Sequence, residues 1–361
     1  MNVRTICATV PQVIRKFAES TDIAVIFDNE KVTLTYKQIN IEIESLGAGL
    51  LSTGLQLGDR ILICGSNTSL FLISTLACAR AGLIFSLMNS NIPTSEQLKY
   101  VLEKGQFRAI ICFSASREME LLYNLLIEIV PELRNSVKGI NRITLEIVAV
   151  EIIKYGLLVI YCFSYILSEI FCRSSQERIK KLPILEEWEP HRLAAIQFTA
   201  LALLNKIPLR GTKFGIGGRL RGTSAPPKLV AISHYQLLNG CRILADSLNL
   251  LREDKLCCAL LMFRIPIFGL VGLVPFITQT LVVFPSASPL PKFLFESIKK
   301  YKCSHLLTNP IALRLVLKIT LSHKVQLPSV TNIILVGERA PNELITSISQ
   351  QLENVKTINV P

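Results

Sequence analysis

The run Gly58-Asp59-Arg60-Ile61-Leu62-Ile63-Cys64 decides how the chain is read. A Gly-Asp turn feeds four apolar residues without alternation, the pattern of a strand buried on both faces. Residues 68–81 then keep helical spacing, and a second apolar strand follows over 83–88. Upstream, Thr35-Tyr36-Lys37-Gln38 is a capping box, with a hydroxyl at the N-cap and an amide three residues on. Ile39, Ile43, Leu46 and Leu50 recur behind it at helical spacing, and Gly54 supplies the stop. Downstream, Thr94 with Gln97 caps a third helix, and Arg108 to Phe113 gives a further strand. Strands separated by helices of this length predict an α/β fold, a parallel sheet with helices on both faces.

From about 137 to 183 the texture changes. Ile and Leu dominate, and Tyr155–Cys172 carries Glu169 as its one charge, with Lys180 and Lys181 beyond it. That is close to the ~18–20 apolar residues needed to cross a bilayer, so a membrane anchor over 155–172 stands beside a core helix and a stretch foreign to the fold. After Trp188 the α/β texture resumes with Ile196-Gln197-Phe198-Thr199 as a strand and Ser233-His234-Tyr235-Gln236 as another capping box, opening a helix to about Asn249. The apolar run 256–284 is broken by Arg264, Pro266, Gly269 and Pro275, which favours a packed strand–turn–helix unit over a spanning helix. Ile333–Val336 reads as a late strand. The chain thus divides into a first α/β half over 1–135, an atypical apolar insertion over 136–185, and a second α/β half over 186–361 interrupted at 200–221.

Half of the 361 residues are hydrophobic and 18% are charged, enough apolar material for a large core and too much for a disordered chain. The formal charge is +12, and the segment 201–221 carries Lys206, Arg210, Lys213, Arg219 and Arg221 without an acidic residue. No aromatic interleaving or nucleic-acid motif accompanies these charges, so no nucleic-acid partner is expected. The ten cysteines form no Cys-x-x-Cys pair, and most, Cys257-Cys258 included, sit among apolar residues as reduced, buried thiols do. The first residues hold no continuous apolar run, so a secretory signal is not expected, and Arg4, Arg15 and Lys16 with only Glu19 nearby leave a weak mitochondrial presequence as an expectation. The expected location is intracellular, cytoplasmic or mitochondrial, with membrane association through 155–172 as the alternative. His305 and His323 are isolated and read as structural, and Ser233-His234 reads as a helix cap rather than a nucleophile with its base.

The heptad Gly222-Thr223-Ser224-Ala225-Pro226-Pro227-Lys228 reads by itself as a surface turn more readily than as a phosphate cradle, and its neighbours favour the cradle. Small and hydroxyl residues let backbone N–H groups approach phosphate oxygens, and the Lys adds a positive charge. It lacks the Gly-Lys-Ser/Thr of a Walker loop, and Gly211, Gly215, Gly217 and Gly218 do not make a dinucleotide fingerprint, since position 220 is Leu. Followed by Ser233-His234-Tyr235, the heptad resembles the phosphate loop of the adenylate-forming enzymes, which include acyl-CoA synthetases, coumarate–CoA ligases and luciferases. Other stretches resemble the family in the same order: Leu57 to Arg60, Ala77 to Gly82, Asn89 to Leu102, and Gly337 to Pro341. The similarity covers about 1–135 and 186–361 and is nearest in flavour to medium-chain fatty acyl-CoA synthetases.

The resemblance implies the large N-terminal domain of that fold, with layered parallel sheets, and a two-step ligase using ATP, Mg2+ and CoA on a fatty or other small carboxylic acid. It assigns Thr223, Ser224 and Lys228 to the β- and γ-phosphates, with Gly222 allowing close approach, and places Gly337, Ala340 and Pro341 beside adenine. There are departures. Ala225 replaces a loop glycine, Pro266 stands where the family has a His lining the acyl site, and Glu338 and Arg339 occupy paired-glycine positions. Val360-Pro361 falls where the family's Tyr-Gly-x-Thr-Glu and then its C-terminal domain would follow. These departures lead us to expect little ligase activity from this chain alone, the alternative being a non-catalytic relative that binds nucleotide, acyl chain or a partner. The stretches 137–183 and 200–221 lack family texture and are expected to be translated intron or mis-joined exon sequence. An insertion at the second would separate Thr199 from Thr223.

Overall fold

A computed structural model describes residues 5–89, 95–113, 124–126, 128, 148–152, 157–162, 182–199, 227–288, 290–324 and 326–359. Its first strands in chain order are β1 (Ile23–Phe27), β2 (Val32–Thr35), β3 (Arg60–Cys64), β4 (Ile84–Met88), β5 (Ala109–Phe113), β6 (Val148–Ile152) and β7 (Leu157–Cys162). They are followed by β8 (Leu193–Phe198), β9 (Leu229–Ser233), β10 (Lys255–Cys258), β11 (Leu281–Phe284), β12 (His305–Thr308), β13 (Asn332–Leu335) and β14 (Thr357–Asn359). One sheet has the order β14-β13-β12-β10-β11-β1-β2 and the other β6-β7-β5-β3-β4-β8-β9. Neighbours are parallel except at the hairpin edges β1–β2, β6–β7 and β8–β9. The first sheet joins β1 and β2 to the five C-terminal strands, β1 pairing with β11, whereas the second is built from the consecutive strands β3 to β9.

The unbroken apolar runs are explained by helices on both faces of each sheet. Ile61 and Ile63 of β3 face a central cluster shared with Phe27, Val282 and Phe284 of the other sheet, whereas Leu62 and Cys64 face an outer one. Between the sheets lie α1 (Val10–Arg15), α2 (Tyr36–Ser52) and α3 (Ser69–Arg80), with α5 (His234–Ser247) and the segment 265–278. Outside one sheet lies α4 (Ser95–Gly105), through Leu98 and Val101. Outside the other lie the helices Pro291–Tyr301, Pro310–His323 and Asn342–Gln351. Successive strand residues point to opposite faces, so one strand serves two cores.

The local signals fall where the sequence puts them. Thr35 caps α2 by accepting from the Gln38 N–H at 3.2 Å, and Ile39, Ile43, Leu46 and Leu50 are all buried. Ser233 caps α5 in the same way, again as a capping box. The cap expected at Thr94 lies outside the described residues.

The helical readings of 155–172, as a membrane anchor or as a core helix, do not hold at the residues described there. Leu157–Cys162, inside that stretch, is extended and runs parallel to β5, with Ile110 opposite Val159. Its backbone groups are satisfied by the neighbouring strands β5 and β6, so these six residues are part of a sheet and not of a spanning helix. Among the described residues no helix is long and apolar enough to cross a membrane. Arg15, read as part of a presequence, belongs to α1, whose Val10, Val13 and Ile14 are in the central core, and it pairs with Glu186 at 3.1 Å.

Candidate functional site

The two sheets present their carboxyl ends to a common edge, and Asn67 holds that edge together. It lies three residues beyond β3, where its side-chain amide donates to the Leu260 carbonyl at 2.7 Å and its side-chain oxygen accepts from the Met262 N–H at 2.8 Å. Its own N–H donates to the Ala287 carbonyl at 3.1 Å. The loops after β3, β10 and β11 therefore meet at one buried residue. In open α/β sheets the carboxyl ends of the strands are where ligands bind. Asn67 was not a candidate from sequence; a polar residue between a buried strand and the N-cap Thr68 was the available signal.

Lys228 lies at this edge. Strands β8 and β9 form an antiparallel ladder with Phe198 opposite Leu229. One step further out, the Thr199 N–H donates to the Lys228 carbonyl at 2.8 Å, and the Lys228 N–H donates to Thr199 Oγ1 at 2.9 Å. The Tyr100 hydroxyl of α4 donates to the Pro227 carbonyl at 2.9 Å. Pro227 is buried while the Lys228 side chain is exposed, so the foot of the loop is anchored and its cation is free to meet a ligand. Thr199 and Lys228 are thus neighbours in spite of the intervening sequence. Gly222, Thr223 and Ser224 lie outside the described residues, as does the separation of Thr199 from Thr223.

The other positions occupy two further places. Gly337 follows β13 with φ +110°, a left-handed conformation that favours glycine. Glu338 and Arg339 are exposed, Ala340 packs half-buried against the outer core, and Pro341 is the N-cap of the helix Asn342–Gln351. Pro266 is exposed in the first turn of the short helix Ile265–Phe268, which leads into a wider π turn over Gly269–Leu273. That segment is tightly seated: a Cβ on Gly269 would lie 2.5 Å from Cys241 Sγ.

The remaining candidates are structural. His305 lies at the amino end of β12, opposite the candidate edge, with its Nδ1 2.9 Å from Ser304 Oγ. Burial lowers its pKa, and the nearby Asp254 carboxylate partly counters that. His323 is exposed and lies beside the Phe295 ring. Cys257 and Cys258 are fully buried, and burial pushes the Cys258 thiol up to about 12. Among the described residues no group of three His, Cys, Asp or Glu is placed to hold a metal ion.

The family model described as AMP-binding enzyme matches residues 14–200 and 222–360. The chain belongs to the AMP-binding enzyme family. The match leaves 201–221, the basic stretch, outside both segments. The chain's curated relatives include acyl-CoA ligases. The mitochondrial medium-chain acyl-CoA ligase ACSF2 of Macaca fascicularis is 26% identical over 344 residues, which is 92% of this chain and 50% of that protein. The acyl-CoA ligase sidI of Aspergillus fumigatus is 24% identical over 322 residues, 88% of this chain and 49% of that protein. The chain spans about half the length of the curated relatives it matches. Among solved structures, VinN superposes with a TM-score of 0.71 at 15% identity, covering 99% of this chain and 74% of its own. The long-chain-fatty-acid–CoA ligase FadD1 of Archaeoglobus fulgidus gives 0.72 at 18%, covering 97% and 62%. At such identities these likenesses show the fold.

Proposed function

We propose that this chain is the nucleotide-binding part of an acyl-CoA ligase, with Lys228 and the preceding Gly222, Thr223 and Ser224 receiving the β- and γ-phosphates of ATP. The observation that carries the reading is the anchored peptide before Lys228, set at the shared carboxyl edge of two parallel sheets. A cation on a fixed backbone neutralises charge on the leaving pyrophosphate without reorganising at the moment of reaction. Gly337, Ala340 and Pro341 would lie along the adenine, and Pro266 at the acyl site. ATP and CoA are the co-substrates expected of the family. Magnesium would arrive with the triphosphate and be held largely by its oxygens, as this ion commonly is.

In the whole enzyme a carboxylate oxygen attacks the α-phosphorus, the bond to the β-phosphate oxygen breaks, and acyl-AMP and pyrophosphate form. The CoA thiol then attacks the acyl carbon, loses its proton, and displaces AMP. The names of the relatives support a medium-chain carboxylic acid as substrate and a mitochondrial location. Neither nucleic acid nor a spanning anchor enters this reading. The test is titration of the full chain with magnesium ATP. Binding is expected, weakened about tenfold or more in Lys228→Ala through loss of a charged contact; a wild-type chain that does not bind ATP would sink the proposal. Pyrophosphate exchange with octanoate then separates a working ligase from a non-catalytic nucleotide binder. Pro266, Glu338 and Arg339, which depart from the family pattern, favour the second for this chain alone.

A further inference from the structure

The peptide between Pro227 and Lys228 is gripped at both of its polar atoms by side chains from other elements. The Tyr100 hydroxyl donates to its oxygen, and Thr199 Oγ1 accepts from its N–H, each at 2.9 Å. A peptide is a rigid plane, so two fixed atoms on opposite sides set its rotation. That rotation in turn directs the Cα–Cβ bond of Lys228. Thr199 is the next residue along the ladder, whereas Tyr100 reaches in from α4. Its ring packs against the outer core of the β8–β9 sheet, a role a Phe ring would fill equally well. Among the described residues the hydroxyl adds one thing to that packing, the grip on Pro227.

Resting on the reading of Lys228 as a phosphate ligand, we propose that Tyr100 is a positioning residue that aims the Lys228 cation at the β- and γ-phosphates. Its hydroxyl therefore contributes to affinity for ATP and not to affinity for AMP, which lacks those phosphates. A hydroxyl that merely satisfied a buried carbonyl would not distinguish the two nucleotides.

The experiment is calorimetric titration of the full chain with magnesium ATP and separately with AMP. It compares wild type, Tyr100→Phe, Lys228→Ala and the double variant, with a thermal melt of each. Tyr100→Phe is expected to weaken ATP binding about three- to tenfold, the scale of one hydrogen bond, and to leave AMP binding unchanged. Added to Lys228→Ala it is expected to change neither, because its effect passes through Lys228. Equal losses for both nucleotides, or an undiminished ATP affinity in Tyr100→Phe, would overturn the assignment of Tyr100 while leaving the nucleotide site intact. Absence of ATP binding by the wild type would overturn the site itself and Tyr100 with it.

Discussion

His234 is buried at the start of α5, its Nδ1 accepting the Val10 N–H at 3.3 Å and its ring 6.1 Å from that of Trp188. Accepting at Nδ1 requires the neutral ring with its proton on Nε2. Burial, aided by the nearby Arg192 charge, lowers the pKa to about 4. Between that value and the ordinary ~6.5 the unfolded chain takes up a proton that the folded chain refuses. The contribution of this histidine to stability is therefore complete above about 6.5 and is lost as pH falls through about 4, on the order of 3 kcal/mol in all. Urea unfolding across that window should show midpoints falling with pH. His234→Leu should be less stable at neutral pH, with the Val10 N–H left without its partner, and should show a shallower fall; an unchanged slope would remove His234 as its cause. From sequence the Ser233-His234 pair reads as a cap because adjacent residues seldom face each other, and the cap is what forms. The burial that fixes the ring's protonation comes from α1 and Trp188, at distances along the chain where sequence carries no signal.

The passage from α3 into β4 shows which local signals are legible. Gly82 closes α3 with φ +74°; its N–H donates to the Ala79 carbonyl and that of Leu83 to the Cys78 carbonyl, at 3.2 and 2.9 Å. This is a paired C-terminal lock that a left-handed residue makes possible. A Cβ there would also stand 2.6 Å from Leu57 Cδ2 and 3.1 Å from the Trp188 ring. Gly82→Ala is expected to cost about 1–3 kcal/mol, backbone strain and crowding together, read as a lowered unfolding midpoint. Such caps and stops are decided within a few residues, which is why α2, α3 and α5 could be placed from sequence. The face of a strand is not local. Leu157–Cys162 is apolar as either a spanning segment or a sheet strand, and its partners β5 and β6 distinguish the two. Tyr100 belongs to a stretch that resembles the family, yet its contact with Pro227 is made 127 residues away and no spacing announces it.

At the scale of the molecule, the order of the strands exceeds what a linear reading supplies. The hairpin β1–β2 joins the sheet built mostly from the far end of the chain, while the stretch between, β3 to β9, forms the other sheet by itself. The α/β texture was legible because strands such as β3, β4 and β5 are short, largely apolar runs; the joining of β1 and β2 to the C-terminal strands rests on long-range pairing that composition does not encode. The same topology makes the interruption at 200–221 testable. What that stretch must not disturb is the neck, and the neck is closed from outside it. The ladder from Leu193–Ser233 to Phe198–Leu229, the two Thr199–Lys228 hydrogen bonds and the Tyr100 clamp all lie beyond its ends. The family match resumes at residue 222, directly after it. Removing 201–221 should therefore leave a folded chain with the same circular dichroism spectrum. A connection shortened roughly fourfold also loses less entropy on closure, so stability should rise by about 1 kcal/mol in urea. A variant that fails to fold, or that unfolds at markedly lower urea, would show that these residues are part of the core, because the neck contacts they flank are present in both chains.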